Sequence, residues 1–390
     1  ILEWGPSLWY NAADGLKAGI HFEGNYMQRN QLLNLSILWN SKIGQGGIDF
    51  DELAGIDSLN LLAFDFDLNY ETPLYFISPE FTISVHAAYR NAYQQYKLAL
   101  IEQINKLTRI GISIDFTKLS RGAESYYPFF SNQWESGTWN NYIQIDADHN
   151  YRYEKGRGAL HFEARSTAIY SDYSYTWLAI EAKHYTRLGK FRLNTRFYGR
   201  LGSGKQLAPQ SALYLAGASP EEWLNNRWTG SRGWIPAGWV NYGNTSGHIQ
   251  TGGGLNARGY AGYRAVETGS DQMVYPVFSG QSGFAFNTQF EFNKLLDWHP
   301  KISKNIGIKT YFFADVASLS YQENSGLLKW SQPRIDAGPG ISFTLKQIWH
   351  FEEWKPLSIR FDFPLYLNHT PFTNPKFFQF RWQIGIGKSF

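Results

Sequence analysis

Cysteine is missing from all 390 residues, which excludes disulfide staples, thiolate-bound metals and a catalytic thiol. Methionine is close to missing, with 2 residues against 28 Phe, 25 Tyr and 15 Trp, so the bulky apolar surface is aromatic. No run approaches the ~18 uninterrupted apolar residues of a membrane-spanning helix. No excess of one charge stands out either. The net charge of +3 is spread along the chain, so a nucleic-acid footprint is not expected. The nine His are scattered, and HExxH, a Walker A glycine loop and G-x-S-x-G are all absent. The expectation is a chain that is not an enzyme and needs no cofactor and no metal. Ile1 is not a natural start, which implies either a removed secretion signal or the C-terminal part of a longer chain.

What the chain does contain is period-two alternation, the mark of strands with two unlike faces. Residues 15–26 set Leu16, Ala18, Ile20, Phe22 and Tyr26 against Lys17, His21, Glu23 and Asn25. Residues 59–70 and 81–90 repeat the pattern. Segments 1–10, 31–42, 108–118, 140–154, 158–170, 173–187 and 191–201 are further candidates, and 93–106 reads as strand or short helix. One apolar face and one charged face admit a soluble sandwich or an outer-membrane barrel. Three features favour the barrel: strands of ~9–11 residues or more, aromatics gathered near strand ends, and turns that split into very short ones (154–158) and long ones (119–139, 202–250). The final stretch, 377–390, sets Phe378, Phe380, Trp382, Ile384, Ile386 and Phe390 on one face, with Gln379, Arg381, Gln383 and Ser389 on the other. A soluble protein with such an exposed edge would invite aggregation.

A second kind of signal lies at 252–263, GGGLNARGYAGY, where a single charged residue, Arg258, stands among glycines and apolar neighbours. Glycines allow close backbone approaches, so such a loop can fold against a wall and deliver one guanidinium to a carboxylate. Two acids have the register for it. Glu291 shares a face with Asn287, Gln289 and Asn293, and Asp315 shares one with Gly307, Lys309 and Tyr311, both opposite aromatic and aliphatic residues. Arg258 is therefore expected to pair with Glu291, Asp315 or both. Lumenal Asp65, Asp67, Asp146 and Asp148 sit at two-residue spacing, which reads as alternating lumen charge in preference to a cation site.

Taken together, these residues resemble the Omp85 superfamily of outer-membrane barrels. Its hallmark is a long inward-folded loop after the eleventh strand with an RGF or RGY motif, here Arg258-Gly259-Tyr260, although the usual preceding Val is Ala257. Phe290-Glu291-Phe292, Phe312-Phe313-Ala314-Asp315, Ala337-Gly338-Pro339-Gly340-Ile341 and Phe380 with Ile386-Gly387-Lys388 resemble segments of the family's last five strands, in order. The final third is covered well, while the first third matches only in style. The resemblance implies an all-β, transmembrane antiparallel barrel of sixteen strands as one domain, 1–390. It would have eleven strands in 1–203, a long loop 204–282 and strands twelve to sixteen in 283–390. About fifteen strands can be counted directly, the last depending on 93–106 or on the N-terminal stretch. Phe380, Trp382 and terminal Phe390 resemble the C-terminal barrel signal.

Two departures from the family stand out. An insert, 220–250, carries Trp223, Trp228, Trp234 and Trp239 and is expected to cap the barrel mouth outside the cell. The family's soluble N-terminal client-binding domains are also missing from these residues. The implied role is insertion of outer-membrane proteins or polypeptide translocation through a lateral seam between first and last strands, where Gly385 and Gly387 would weaken pairing. Implied partners are the outer-membrane bilayer with its lipopolysaccharide, polypeptide clients and accessory lipoproteins. Two rivals are a barrel that anchors an N-terminally fused hydrolase or peptidase, and a passive pore.

Overall fold

The computed structural model of the chain describes residues 2–11, 15–26, 31–43, 64–90, 92–120, 135–225, 249–292, 306–345, 357–370 and 376–387. Among the described residues alternating sequence becomes strand over most of its length. The strands are β1 (Leu2–Asn11), β2 (Gly15–Tyr26), β3 (Gln31–Asn40), β4 (Phe64–Pro73), β5 (Phe81–Arg90), β6 (Tyr93–Asn105), β7 (Thr108–Leu119) and β8 (Trp139–Tyr153). They continue as β9 (Gly156–Thr167), β10 (Ser174–Leu188), β11 (Phe191–Gln206), β12 (Gly283–Glu291), β13 (Ile306–Gln322), β14 (Arg334–Leu345), β15 (Ser358–Asp362) and β16 (Gln383–Ile386). Each strand pairs antiparallel with the next in chain order, from β1 to β16. With its short pieces counted, the sheet has 19 strands among the described residues. The ambiguous segment 93–106 is a strand, because Tyr93, Gln95 and Ala99 turn to the buried side while Tyr96 and Leu98 turn out.

The two faces of this sheet invert the usual order of a water-soluble protein. Leu98, Ile112, Leu178, Phe286 and Phe312 project outward and are 48–55% exposed. Asp115, Asn140, Asn287, Asp315, Asp336 and Asp362 turn inward and are 0% exposed. Soluble folds bury their apolar faces. Carbon outside and carboxylates inside is the arrangement of a sheet whose outer surface meets lipid. Among the described residues no helix is long and apolar enough to cross a membrane.

The last two strands are shorter than alternation implies. The expected strand 357–367 stops at Asp362 and resumes only as Tyr366–Leu367. Pro364 has no N–H to give the ladder, and the chain bends so that the Phe363 N–H donates to the Pro339 carbonyl at 2.9 Å. Gly338 admits that bend, since a Cβ there would lie 1.8 Å from the Phe363 carbonyl oxygen. The expected strand 377–390 pairs regularly only over Gln383–Ile386. Before it, the chain follows the irregular path after Pro364, with the Gln379 N–H donating to the Leu365 carbonyl at 3.0 Å. After it, Gly387 takes a φ of +80° and ends the extended run. Phe380 and Trp382 remain outward, 68% and 37% exposed, while the alternate positions Arg381 and Gln383 are buried. Phe390 lies outside the described residues.

The sheet's two ends differ. Among the described residues β1 pairs with β2 alone. The far side of β16 is taken by Ile249–Thr251 from the long loop, which lies parallel to it with Ile249 opposite Ile384, Gln250 opposite Gly385 and Thr251 opposite Ile386.

Candidate functional site

The long loop between β11 and β12 folds against the inner face of the wall rather than away from it. Its short strand Leu213–Tyr214 pairs with Ser279–Gly280 near the loop's end. Leu213, Leu215, Leu255, Ala257, Tyr260, Ala261 and Tyr263 pack on Ala285, Ala317, Leu319 and Leu367 of the strands. Small wall residues let the loop backbone approach closely. At Gly254, φ is +49°, and a Cβ would lie 2.5 Å from the Gly217 carbonyl oxygen, so only glycine fits that crossing.

Polar groups on the strands hold the loop backbone in place. Arg196 of β11 donates through Nη2 to the Gly254 carbonyl (2.9 Å) and through Nη1 to Asn287 Oδ1 (3.0 Å). Asn287 of β12 donates through Nδ2 to the carbonyls of Leu255 (3.3 Å) and Asn256 (3.1 Å), and to Asp315 Oδ1 (3.1 Å). The motif Arg258–Tyr260 is a single 3-10 turn that presents three side-chain positions to three different parts of the wall.

Arg258 is 0% exposed and forks onto Asp315 of β13, Nε to Oδ2 at 2.7 Å and Nη2 to Oδ1 at 2.8 Å. Its guanidinium also lies over the Phe313 ring, 3.9 Å from the centroid, and Nη1 is 3.8 Å from Asp362 Oδ1 of β15. Burial opposes the arginine's charge, but Asp315 outweighs it and holds the pKa above the ordinary arginine value. A bidentate, charge-assisted pair fixes distance and orientation together. Gly259 lies against Asp336 of β14 and Leu367, where a Cβ would fall 2.7 Å from Asp336 Cβ and 2.5 Å from Leu367 Cδ2. The Tyr260 hydroxyl donates to Asn368 Oδ1 at 2.8 Å and accepts from the His369 N–H at 3.2 Å.

Glu291, the other expected partner, does not touch Arg258. It accepts instead from Asn194 Nδ2 (2.7 Å) and Lys309 Nζ (3.1 Å), with Arg192 Nη1 at 3.7 Å. It faces the same way as Asn287, but it stands four residues further along β12, roughly 13 Å at ~3.3 Å per residue. Alternation fixes the face of a strand and leaves the height on it open.

The start of the 220–250 insert packs inward on the wall, and residues 226–248, most of the expected cap, lie outside the described residues. Pro220–Asn225 is a short helix, α1, begun by a capping box in which the Ser219 N–H donates to Glu222 Oε2 (2.6 Å) and the Glu222 N–H to Ser219 Oγ (3.3 Å). Trp223 is 5% exposed. Glu221 is drawn against the wall by Arg165 Nη1 (2.8 and 2.9 Å), Ser211 Oγ (2.6 Å) and the Tyr142 hydroxyl (2.7 Å). Burial pushes the Glu221 carboxyl up, but these partners more than reverse it, leaving its pKa below the ordinary glutamate value. Arg165 is itself stacked between Tyr142 and Trp177, at 3.9 and 4.5 Å from their ring centroids. A buried charge with that many partners directs the helix inward. Trp228, Trp234 and Trp239 lie outside the described residues.

The lumenal acids at two-residue spacing carry partners of their own. Asp65 meets Lys17, Asp67 meets His86 and Arg90, and Asp148 meets Arg109 and His161. Asp146, His161 and Glu163 bring possible ligand atoms within 4.8 Å of one another. However, His161 Nδ1 is 2.8 Å from Asp148, and Glu163 accepts from Trp177 Nε1 at 3.0 Å and pairs with Arg165. Asn287, Asp336 and Asp362 belong to the motif's surroundings without having been singled out in the sequence. Each alternates with apolar neighbours as Asp315 does, and that was the available signal.

The fold and this site define an all-β chain, a long antiparallel sheet with an inward loop, of the kind seen in outer-membrane barrels. No known family profile and no curated protein matches the sequence. Among solved structures, the chain is similar to BamA from Haemophilus ducreyi lacking POTRA domains 1–3, at 14% identity and a TM-score of 0.49, over 98% of this chain and 69% of that one. It is also similar to a bacterial polysaccharide outer-membrane secretin, at 8% identity and a TM-score of 0.37, over 98% and 94% of the two chains. A BenF-like porin from Pseudomonas fluorescens Pf-5 is similar at 10% identity and a TM-score of 0.40, over 93% and 90%.

Proposed function

We propose that the chain is the membrane barrel of an Omp85-type outer-membrane protein, which inserts or passes other polypeptides at the seam between β1 and β16. The observation that carries this reading is the inward loop, held by the buried fork of Arg258 on Asp315, in a sheet whose first strand has β2 as its only strand partner among the described residues. A strand edge offers aligned backbone donors and acceptors, which suit it to pair with an incoming strand. A loop anchored to the wall keeps the lumen shaped while the seam works. The partners of such a protein are the outer-membrane bilayer with its lipopolysaccharide, a polypeptide client and accessory lipoproteins.

The location follows from the inverted faces. The protein should fractionate with outer membranes and migrate differently on gels before and after heating. Recovery as a soluble monomer without detergent would contradict a lipid-facing sheet. The activity is tested by reconstituting the chain in liposomes and adding an unfolded small outer-membrane barrel. Faster acquisition of heat-modifiable migration by that client supports insertion, and a rate equal to that of empty liposomes rules it out.

One observation favours a second reading, a barrel that anchors a soluble domain. The β16 edge already carries Ile249–Thr251, and a covered edge suits an anchor that has no client to admit. In that case the reconstituted chain leaves the client's folding rate unchanged while its own migration stays heat-modifiable.

A further inference from the structure

We infer that the outer edge of β16 is a strand-docking site, and that its resident occupant, Ile249–Thr251, exchanges with an extended segment of another polypeptide that presents a hydrogen-bond acceptor inward. This rests on the seam reading above and names the chemistry that the seam selects.

The occupant is held by a parallel ladder on β16, by the Ala218 N–H donating to the Thr251 carbonyl at 3.1 Å, and by its own side chains. Among the described residues its ladder spans Ile249–Thr251 and runs parallel, where the other pairings of this sheet are antiparallel. Parallel pairing is slightly less stable per residue. The side chain of Gln250 supplies the selectivity. It is 3% exposed, and its Oε1 accepts from Arg360 Nη2 at 2.8 Å and from Gln383 Nε2 at 3.2 Å. Thr251 Oγ1 adds a bond to the Ile386 carbonyl at 2.9 Å.

The docking position is built into the wall. Arg360 reaches it by crossing Gly385, where a Cβ would lie 2.1 Å from Arg360 Nε. Arg360 also meets Asp362, and Gln383 Nε2 lies 3.3 Å from the same carboxylate. Two donors therefore converge on one buried point. A segment with an apolar side chain there would take the acceptor from Arg360 Nη2 and leave Gln383 Nε2 with the Asp362 carboxylate alone, which is costly in a buried place. A segment with Gln, Asn, Glu or Asp satisfies them, and a carboxylate does so with charge assistance.

The occupant also has a means of leaving. Immediately after Thr251 come Gly252 and Gly253, with a φ of +154° at Gly253, ahead of Gly254, whose carbonyl Arg196 holds. Beyond them, Leu255, Asn256 and Arg258 are fixed to the wall through Asn287 and Asp315. Glycines change backbone angles at little steric cost, so Ile249–Thr251 can swing off β16 while the motif stays seated.

The absence of cysteine makes the test clean. The chain carrying Thr251→Cys and Ile386→Cys is purified in detergent, shown to be heat-modifiable and given a pulse of oxidant, and the rate of disulfide formation is read on gels. Ile249→Cys with Ile384→Cys serves as a second pair should the first disturb folding. Three peptides are added in excess: the chain's own residues 247–255, the same with Gln replaced by Glu, and the same with Gln replaced by Leu. The first two should slow cross-linking roughly tenfold relative to the third. Equal rates with all three peptides would make Ile249–Thr251 a fixed part of the wall and overturn the inference. A pair that fails to cross-link in heat-modifiable protein would overturn it as well. Peptide competition without client folding in liposomes would leave the docking site standing and sink the insertion reading. Client folding without peptide competition would do the reverse.

Discussion

Arg258→Ala should lower the stability of the folded chain by about 3–5 kcal/mol, the usual cost of leaving one member of a buried pair alone. The shift should appear as a lower midpoint of heat modification. The substitution removes both bonds to Asp315 and the cation packed over Phe313. It strands the Asp315 carboxylate, which is 0% exposed, with Asn287 as its remaining side-chain donor. Arg381→Ala is the fitting control, because Arg381 is also buried and inward. Among the described residues its guanidinium donates to backbone carbonyls alone, those of Lys376, Gln379 and Leu365 at 3.0–3.5 Å, so its loss orphans no carboxylate there. Equal shifts for the two arginines would mean that Arg258 acts through bulk alone.

Gly259→Ala should unseat the motif turn. The added Cβ has Leu367 Cδ2 at 2.5 Å and Asp336 Cβ at 2.7 Å, so the turn or both neighbours must shift. Overpacking of this kind costs typically ~1–3 kcal/mol, and here it pushes the turn off the wall at the residue next to Arg258. The loop should then become open to added protease while the strands keep their far-ultraviolet signature. Gly199→Ala, where the nearest neighbour to the new Cβ is 3.5 Å away, should leave protease resistance unchanged. Protection that survives Gly259→Ala would mean that the turn is not seated on β14.

These two residues mark how far the sequence could be read. Alternation supplied the strands and their faces because each inward or outward choice repeats locally, as Leu178 and Ile180 do against Trp177 and Ala179. It supplied Asp315 as an inward acid for the same reason. It did not separate Asp315 from Glu291, because height along the wall depends on cross-strand register. Asn287 stands opposite Asp315, whereas Glu291 stands opposite Tyr311. Pro364 was visible, yet how it would break the strand depended on Gly338 in a neighbouring strand receiving the displaced carbonyl. The inward turn of α1 was illegible for a related reason. Glu221 meets Arg165 across 56 positions of chain and Tyr142 across 79, and a polar residue in a Trp-rich insert reads as surface until those partners are known. The pairing of Ile249–Thr251 with β16 is parallel and comes from a distant loop, so alternation within either segment carries no signal of it.

The most direct measurement on the motif is a pair of double-mutant cycles, Arg258→Leu with Asp315→Leu and Arg258→Leu with Glu291→Leu, read from the midpoint of heat modification in the same detergent. Residues in one buried network couple by ~0.5–3 kcal/mol, and residues without shared partners add independently. The first cycle is expected to give a coupling near the top of that range, about 2–3 kcal/mol, and the second a coupling close to zero. A coupling to Glu291 as large as that to Asp315, or none to Asp315, would contradict the lock between the inward loop and β13.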